Sequence, residues 1–244
     1  MNLIALIPAR MGSMRIPLKN FKPLNGKSLL CYTIEAALKV EALEKIIVST
    51  DYPSAIEIIE GYKDPRLVFS WRIKEFSLNT SPDFQWIRYT FDNIGWGVCT
   101  HYMILRPTSP FRTAETINRA IVEHKDMNYE PEISLKSVQL VKEYPQKMWI
   151  PSEAAKMVCI PYEHMRIQSK PASFEEQSAN FASIYIQNGC IDICPLSIIK
   201  EWGNRYIGNY IYPFLTEGFE GVDINTKDDW GYAEFLMKGK NNAN

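Results

Sequence analysis

The chain has 244 residues, 46% of them hydrophobic and 23% charged, a composition that suits one sizeable globular domain with a real core and excludes a disordered chain. Lysine and arginine number 27 against 28 aspartates and glutamates, and the resulting net charge of -1 argues against a general nucleic-acid binder, which needs a basic face. No run approaches the ~20 apolar residues of a membrane span, no secretory pattern is visible, and the five scattered cysteines fit neither zinc nor redox spacing, so a cytoplasmic protein with reduced thiols is expected.

Strand-like and helix-like segments alternate through the first half. Leu3–Ile7 reads as a fully buried strand, and Leu29, Thr33, Ala36, Ala37 and Val40 then recur at helical spacing. Lys45–Val48 is a second strand ending in "STD", Ser54–Gly61 a short helix and Leu67–Ser70 a third strand. "SPDFQWIRYTFDNI" is predicted as a helix capped by Ser81 with Pro82 in its first position. Tyr102–Leu105 is a fourth strand and Ala114–Lys125 a helix. From about 129 to 188 the periodicity weakens, and the stretch reads as an arm or lid inserted into a single domain spanning 1–244. Beyond it, "SIYIQNGCIDIC" is a bent strand or strand pair, Leu196–Trp202 a helix and "YIGNYIYPF" a strand. The last helix is capped by Thr226, turns Trp230, Ala233 and Met237 inward, and frays at "KGKNNAN". The six tryptophans are read as core or interface residues. This alternation predicts an α/β fold, a doubly wound, mostly parallel sheet with helices on both faces.

In such sheets a ligand sits beyond the carboxyl ends of the strands. Three polar segments fall there: "PARMGSMR" after the first strand, "STDYP" after the second and "RPTSPFR" after the fourth. Gly12 and Ser13 permit a tight turn, while Arg10, Arg15 and Lys19 add fixed positive charge with almost no acid nearby. Backbone N–H groups with arginine forks and a lysine point charge suit a polyphosphate. The Gly-Lys-Ser/Thr ending of a P-loop is missing.

The ordered set "IPARMGSMRIPLKN", "STD", "RPTSPFR", "NGCIDI" and "VDINTKDDWGYAE" resembles the N-acylneuraminate cytidylyltransferases (CMP-sialic acid synthetases), in a wider group that includes the Kdo cytidylyltransferases. The likeness runs from Leu3 to about Leu236. It implies a Rossmann-like nucleotidyltransferase that couples CTP to a sugar acid: the anomeric hydroxyl attacks the α-phosphate and pyrophosphate leaves. It also implies a Mg²⁺ cofactor, a small acidic acceptor and a homodimer in which the inserted arm reaches the partner's site. By the same resemblance Arg10 and Lys19 hold the triphosphate and, with Asp223, form the catalytic set. Ala9, Gly12, Ser13, Arg15, Asn20, Arg72, Arg106, Thr108 and Ser109 fall at the nucleotide, and Lys147, Arg166 and Asn188 on the acceptor side. Asp223 and Asn225 take the metal-ligand positions.

The departures from the family pattern bear on the acceptor. Met14–Arg15 stands where the sialate enzymes place a lysine first, so a positive charge is moved one residue along. Arg106 replaces the usual glutamine, and Asn225 replaces a carboxylate. "EEQSANFASIY" lacks the arginine that pairs with the sugar's carboxylate, for which Arg166 or Lys170 could substitute. Two further readings follow: a cytidylyltransferase for a phosphonate or other non-sialate acceptor, and a nucleotide-binding protein without turnover.

Overall fold

The computed structural model describes residues 1–127, 132–151, 157–159, 175 and 177–241. The strands are β1 (Leu3–Pro8), β2 (Pro23–Leu24), β3 (Lys27–Ser28), β4 (Leu43–Thr50), β5 (Leu67–Trp71), β6 (His101–Ile104), β7 (Ser134–Leu140), β8 (Trp149–Pro151), β9 (Met157–Cys159), β10 (Tyr185–Pro195) and β11 (Ile211–Leu215). The helices are α1 (Leu29–Leu38), α2 (Ala55–Gly61), α3 (Asp83–Ile94), α4 (Ala114–Asp126), α5 (Leu196–Trp202) and α6 (Lys227–Asn241).

Seven strands form one sheet in the order β11-β7-β10-β6-β1-β4-β5. β1 pairs parallel with both β4 and β6, β4 with β5, and β11 with β7, whereas β10 runs antiparallel to β6. β1 is central, and its apolar run is buried on both faces, as parallel strands between helical layers require. Its side chains divide alternately. Leu3, Ala5 and Ile7 join a cluster with Ile34 and Ala37 of α1 and Ile117 and Ala120 of α4, while Ile4 and Leu6 join Trp86, Ile87 and Phe91 of α3 and Leu196 and Ile199 of α5. A third cluster lies beneath the opening loop, where Ile16, Leu24, Phe111 and Ile224 meet Trp230, Ala233 and Met237 of α6.

Local caps fix the helix starts. Ser28 Oγ accepts from Cys31 N (3.2 Å) at α1, and Thr113 and Thr116 form a reciprocal box at α4. Ser81 does not cap α3: Pro82 holds that position without a side-chain bond, and Ser81 Oγ instead donates to the Glu75 carbonyl at 2.7 Å. α6 continues through Asn241, so residues 238–241, expected to fray, are helical. Trp86 and Trp230 are core residues, but Trp71, Trp149 and Trp202 are exposed.

The chain divides into two compact units, residues 1–138 with 188–244, and residues 139–187. β7 therefore belongs mainly to the sheet, although the sequence groups it with the insertion. Within the second unit β8 and β9 pair antiparallel, and Tyr144 and Phe181 pack with ring centroids 5.3 Å apart.

Candidate active site

The opening loop leaves the carboxyl end of β1 and is fastened at several points. Ala9 N donates to Ser49 O (2.9 Å), continuing the β1–β4 pairing for one more residue. Met11 N donates to an Asp51 carboxylate oxygen (2.6 Å) just past β4. Ser13 N donates to Met11 O at 3.0 Å, which makes the turn around Gly12 tight. Asn20 is buried: its Nδ2 donates to Arg10 O (3.0 Å) and its carbonyl accepts from Leu30 N (2.9 Å), so the loop is stitched to itself and to α1. Arg10 reaches across to donate to Ser77 O at 3.1 Å.

A second segment, 222–226, runs beside this loop. Ile224 is buried in the third cluster, its N–H donates to Thr108 O (2.9 Å), and its carbonyl accepts from Lys19 Nζ (2.6 Å). Lys19 thereby straps the segment from one side and the "RPTSPFR" loop straps it from the other. The flanking Asp223 and Asn225 are half-buried. Asn225 Nδ2 donates to Asp223 Oδ2, and Asn225 Oδ1 accepts from Arg15 Nη2 at 3.4 Å. Asp229 is a capping residue: Oδ2 accepts from Asn225 N, Thr226 N and Thr226 Oγ1, and Asp229 N donates back to Thr226 Oγ1.

Arg10, Arg15, Lys19 and Asp223 therefore form one electrostatic group. Burial pulls the Lys19 ammonium below the usual lysine range; Asp223 opposes that shift, while Arg15 and Arg10 reinforce it. A buried ammonium whose charge two neighbouring guanidinium groups disfavour is ready for an anion.

Arg72 and Arg106 sit at the ends of β5 and β6. Arg72 is 3% exposed, donates to Ser49 Oγ and Ser49 O at 3.1 Å each, and lies 4.5 Å over the Trp86 ring. Burial pushes its guanidinium down to about 10, still protonated at neutral pH, with Asp83 and Asp51 pulling the other way. Arg106 is held differently. Its Nη1 pairs with Asp192 (2.7 Å) and its Nη2 with Asp83 (2.6 Å), and Asp192 also receives Lys136 Nζ at 3.2 Å. Burial works against the Arg106 charge, but the two carboxylates outweigh it. Arg106, expected at the nucleotide, has both terminal nitrogens bound by carboxylates of the fold.

The remaining expected residues divide the same way. Thr108 presents its carbonyl to Ile224, and Ser109 is buried with its hydroxyl unpartnered among the described residues. Asn188, expected on the acceptor side, is a buried fastening: Nδ2 donates to Thr216 Oγ1 (2.8 Å) and Oδ1 accepts from Cys190 N (3.2 Å). Lys147 belongs to the second unit, where its Nζ lies 5.9 Å from the Phe181 ring centroid. Arg166 and Lys170 lie outside the described residues. Two acids were missed: Asp51, which anchors Met11 and whose only signal was its place in "STD", and Asp83, which reads in the sequence as an ordinary first-turn acid.

The donor set can be tested against a divalent cation. Among the described residues no three His, Cys, Asp or Glu side chains gather to hold one unaided. Mg²⁺ needs only one or two carboxylates when phosphate oxygens and waters complete its shell. Asp223, beside the loop cations, fits that requirement.

The family model for cytidylyltransferases matches residues 4–148. The chain belongs to the cytidylyltransferase family. It is a nucleotidyltransferase enzyme, as the five ordered motifs imply. It is 31% identical to the CMP-N,N'-diacetyllegionaminic acid synthase of Legionella pneumophila, over 98% of this chain and 97% of that protein. It is 27% identical to the N-acylneuraminate cytidylyltransferase of Escherichia coli, over 98% of this chain but only 53% of that longer protein. A solved CMP:2-keto-3-deoxy-manno-octonic acid synthetase complexed with CTP superposes with a TM-score of 0.67 over 98% of this cytidylyltransferase and 100% of that chain, at 13% identity, which bears on the fold.

Proposed function

We propose that this cytidylyltransferase uses CTP to activate a sialic-acid-like nonulosonate, or a related sugar acid, as its CMP derivative. The observation that carries the reading is the gathering of Arg10, Arg15 and Lys19 around Asp223 at the carboxyl end of β1. Its support is the likeness along nearly the whole chain to a CMP-diacetyllegionaminic acid synthase.

In this reading the triphosphate lies along the opening loop. Arg10 and Lys19 neutralise its charge and orient the α-phosphorus, and Arg72, fixed by Ser49 and the Trp86 face, adds a rigid cation. The anomeric oxygen of the acceptor forms the new bond to the α-phosphorus. The bond to the bridging oxygen breaks, pyrophosphate leaves with the electron pair, and the hydroxyl proton passes to solvent. Asp223 would hold Mg²⁺, which supplies Lewis-acid polarisation of the phosphates. A two-fold homodimer in the cytoplasm completes the reading. The test is pyrophosphate release from CTP and Mg²⁺ with a panel of acids: legionaminate, sialate, pseudaminate, Kdo and simple phosphonates. Release with at least one is expected, and silence across the whole panel would sink the proposal.

A further inference from the structure

Arg15 and Asp223 carry opposite charges on two segments of one crevice, yet they do not pair. Asn225 lies between them, its amide oxygen toward the guanidinium (3.4 Å) and its amide nitrogen toward the carboxylate. Only this orientation of the amide satisfies both neighbours. Reversed, it would set NH₂ against the guanidinium and oxygen against the carboxylate. The backbone holds the spacer in place on both sides. Asn225 N donates to Asp229 at 2.9 Å, and the preceding Ile224 is fixed by donating its N–H to the Thr108 carbonyl and by accepting from Lys19 Nζ at its own carbonyl.

A neutral amide in this position has a physical consequence. An exposed arginine on a flexible stem readily folds onto a nearby carboxylate, and the pair would quench the two charges that a metal–nucleotide complex needs separately. A carboxylate at 225 would capture Arg15 directly. An apolar residue there would leave Arg15 free to close on Asp223. The amide engages both without neutralising either.

We infer that Asn225 is a positioning residue that keeps the Arg15 guanidinium and the Asp223 carboxylate apart, leaving Arg15 to the anionic phosphates and Asp223 to a divalent cation. The inference rests on the nucleotidyl-transfer reading and deepens it. It ties together two features of this chain, the arginine at 15 and the amide at 225, as parts of one arrangement rather than independent changes.

The test is CTP binding to the intact protein in the presence of a chelator, read by calorimetry, with the melting temperature of each variant as a check on folding. Arg15→Gln is expected to weaken CTP about tenfold, the loss of one charge-assisted contact. Asn225→Ala and Asn225→Asp are each expected to weaken it several-fold, roughly 3- to 10-fold, by diverting Arg15 onto a carboxylate. In the Arg15→Gln background Asn225→Ala should add nothing. Manganese binding to the CTP complex, followed by its paramagnetic resonance signal, gives a second readout. Asn225→Ala should weaken it, and adding Arg15→Gln should restore it by freeing Asp223. An Asn225→Ala variant that binds CTP like wild type, or whose loss persists in full without Arg15, overturns the inference. So does a loss of manganese affinity that Arg15→Gln does not repair, which would make Asn225 a simple metal ligand. A wild-type chain that fails to bind CTP overturns the nucleotide reading itself, so the two failures are distinct.

Discussion

Lys19 is where the competing demands of the crevice meet. Its ammonium is tied to the Ile224 carbonyl, partly buried, and pressed by Arg15 and Arg10, so it holds its proton less firmly than a free lysine. A bound triphosphate would reverse that pressure. Replacing Lys19 with Ala is expected to weaken CTP binding by about 1.5–3 kcal/mol, roughly 10- to 150-fold, the range of a hydrogen bond to a charged group. The sign of the pH effect follows from the direction of the shift. As pH rises toward the depressed pKa the ammonium is lost, and CTP affinity should decline on the alkaline side earlier than an ordinary lysine at ~10.4 would allow. A Lys19→Arg variant, which does not titrate there, should keep its affinity over that range; titrations of both proteins that decline together would remove Lys19 from the phosphate site. At this scale the sequence is legible where the signal is local. The crowding of Arg10, Arg15 and Lys19 in one loop is visible in a single window, whereas the partners of Arg106 lie 23 and 86 residues away, and only the folded chain brings them to it.

Elements show the same division between local and distant information. The helices α1, α4 and α5 and the strands β1, β4 and β5 stand close to their predicted limits, because each carries its own apolar pattern, to which α1 and α4 add side-chain caps. β7 escapes, since nothing in Ser134–Leu140 announces that it will pair with β11 rather than join the insertion. What secures that side of the sheet is a buried charge cluster. Asp192 on β10 is fully buried and receives both Arg106, from beyond β6, and Lys136, from β7, whose Nζ also donates to Tyr206 Oη at 3.2 Å. Removing the acid leaves two cations without their shared partner. Asp192→Ala is expected to cost about 3–5 kcal/mol, the range for breaking a buried ion pair. For a chain of this size that is a fall in melting temperature of roughly 6–20 °C. Asp64→Ala, which loses a partly exposed pair with Arg66, should move it far less. Equal shifts in thermal denaturation would show that the cluster fastens nothing.

The whole molecule brings its titrating groups together on the acid side. His101 at the start of β6 and His124 near the end of α4 pack edge to face with centroids 5.2 Å apart, at the opposite end of β6 from the nucleotide crevice. Burial, then His124 and the amino terminus, push His101 down to about 4, and burial lowers His124 as well, despite its contact with the Ile133 carbonyl. Both rings are therefore kept neutral by folding, while in the unfolded chain they titrate near ~6.5. Between ~6.5 and about 4 the unfolded state binds more protons, so stability must fall as pH falls through that window. Two carboxylates extend the loss downward. Burial raises Asp83 but Arg106 overrides it, and Asp229 is lowered by its bonds from Asn225 and Thr226. Their contributions are present above the ordinary carboxylate value and disappear as pH drops through the depressed ones. The melting temperature should accordingly decline in two stages, first over the histidine window and then below it. His101→Gln cannot take up the first proton and relieves the charge that would face His124. Its decline between pH 6.5 and 4 should be shallower than that of the wild type, while the lower stage is unchanged. Parallel curves over both stages would mean that the histidine pair carries no part of the acid sensitivity.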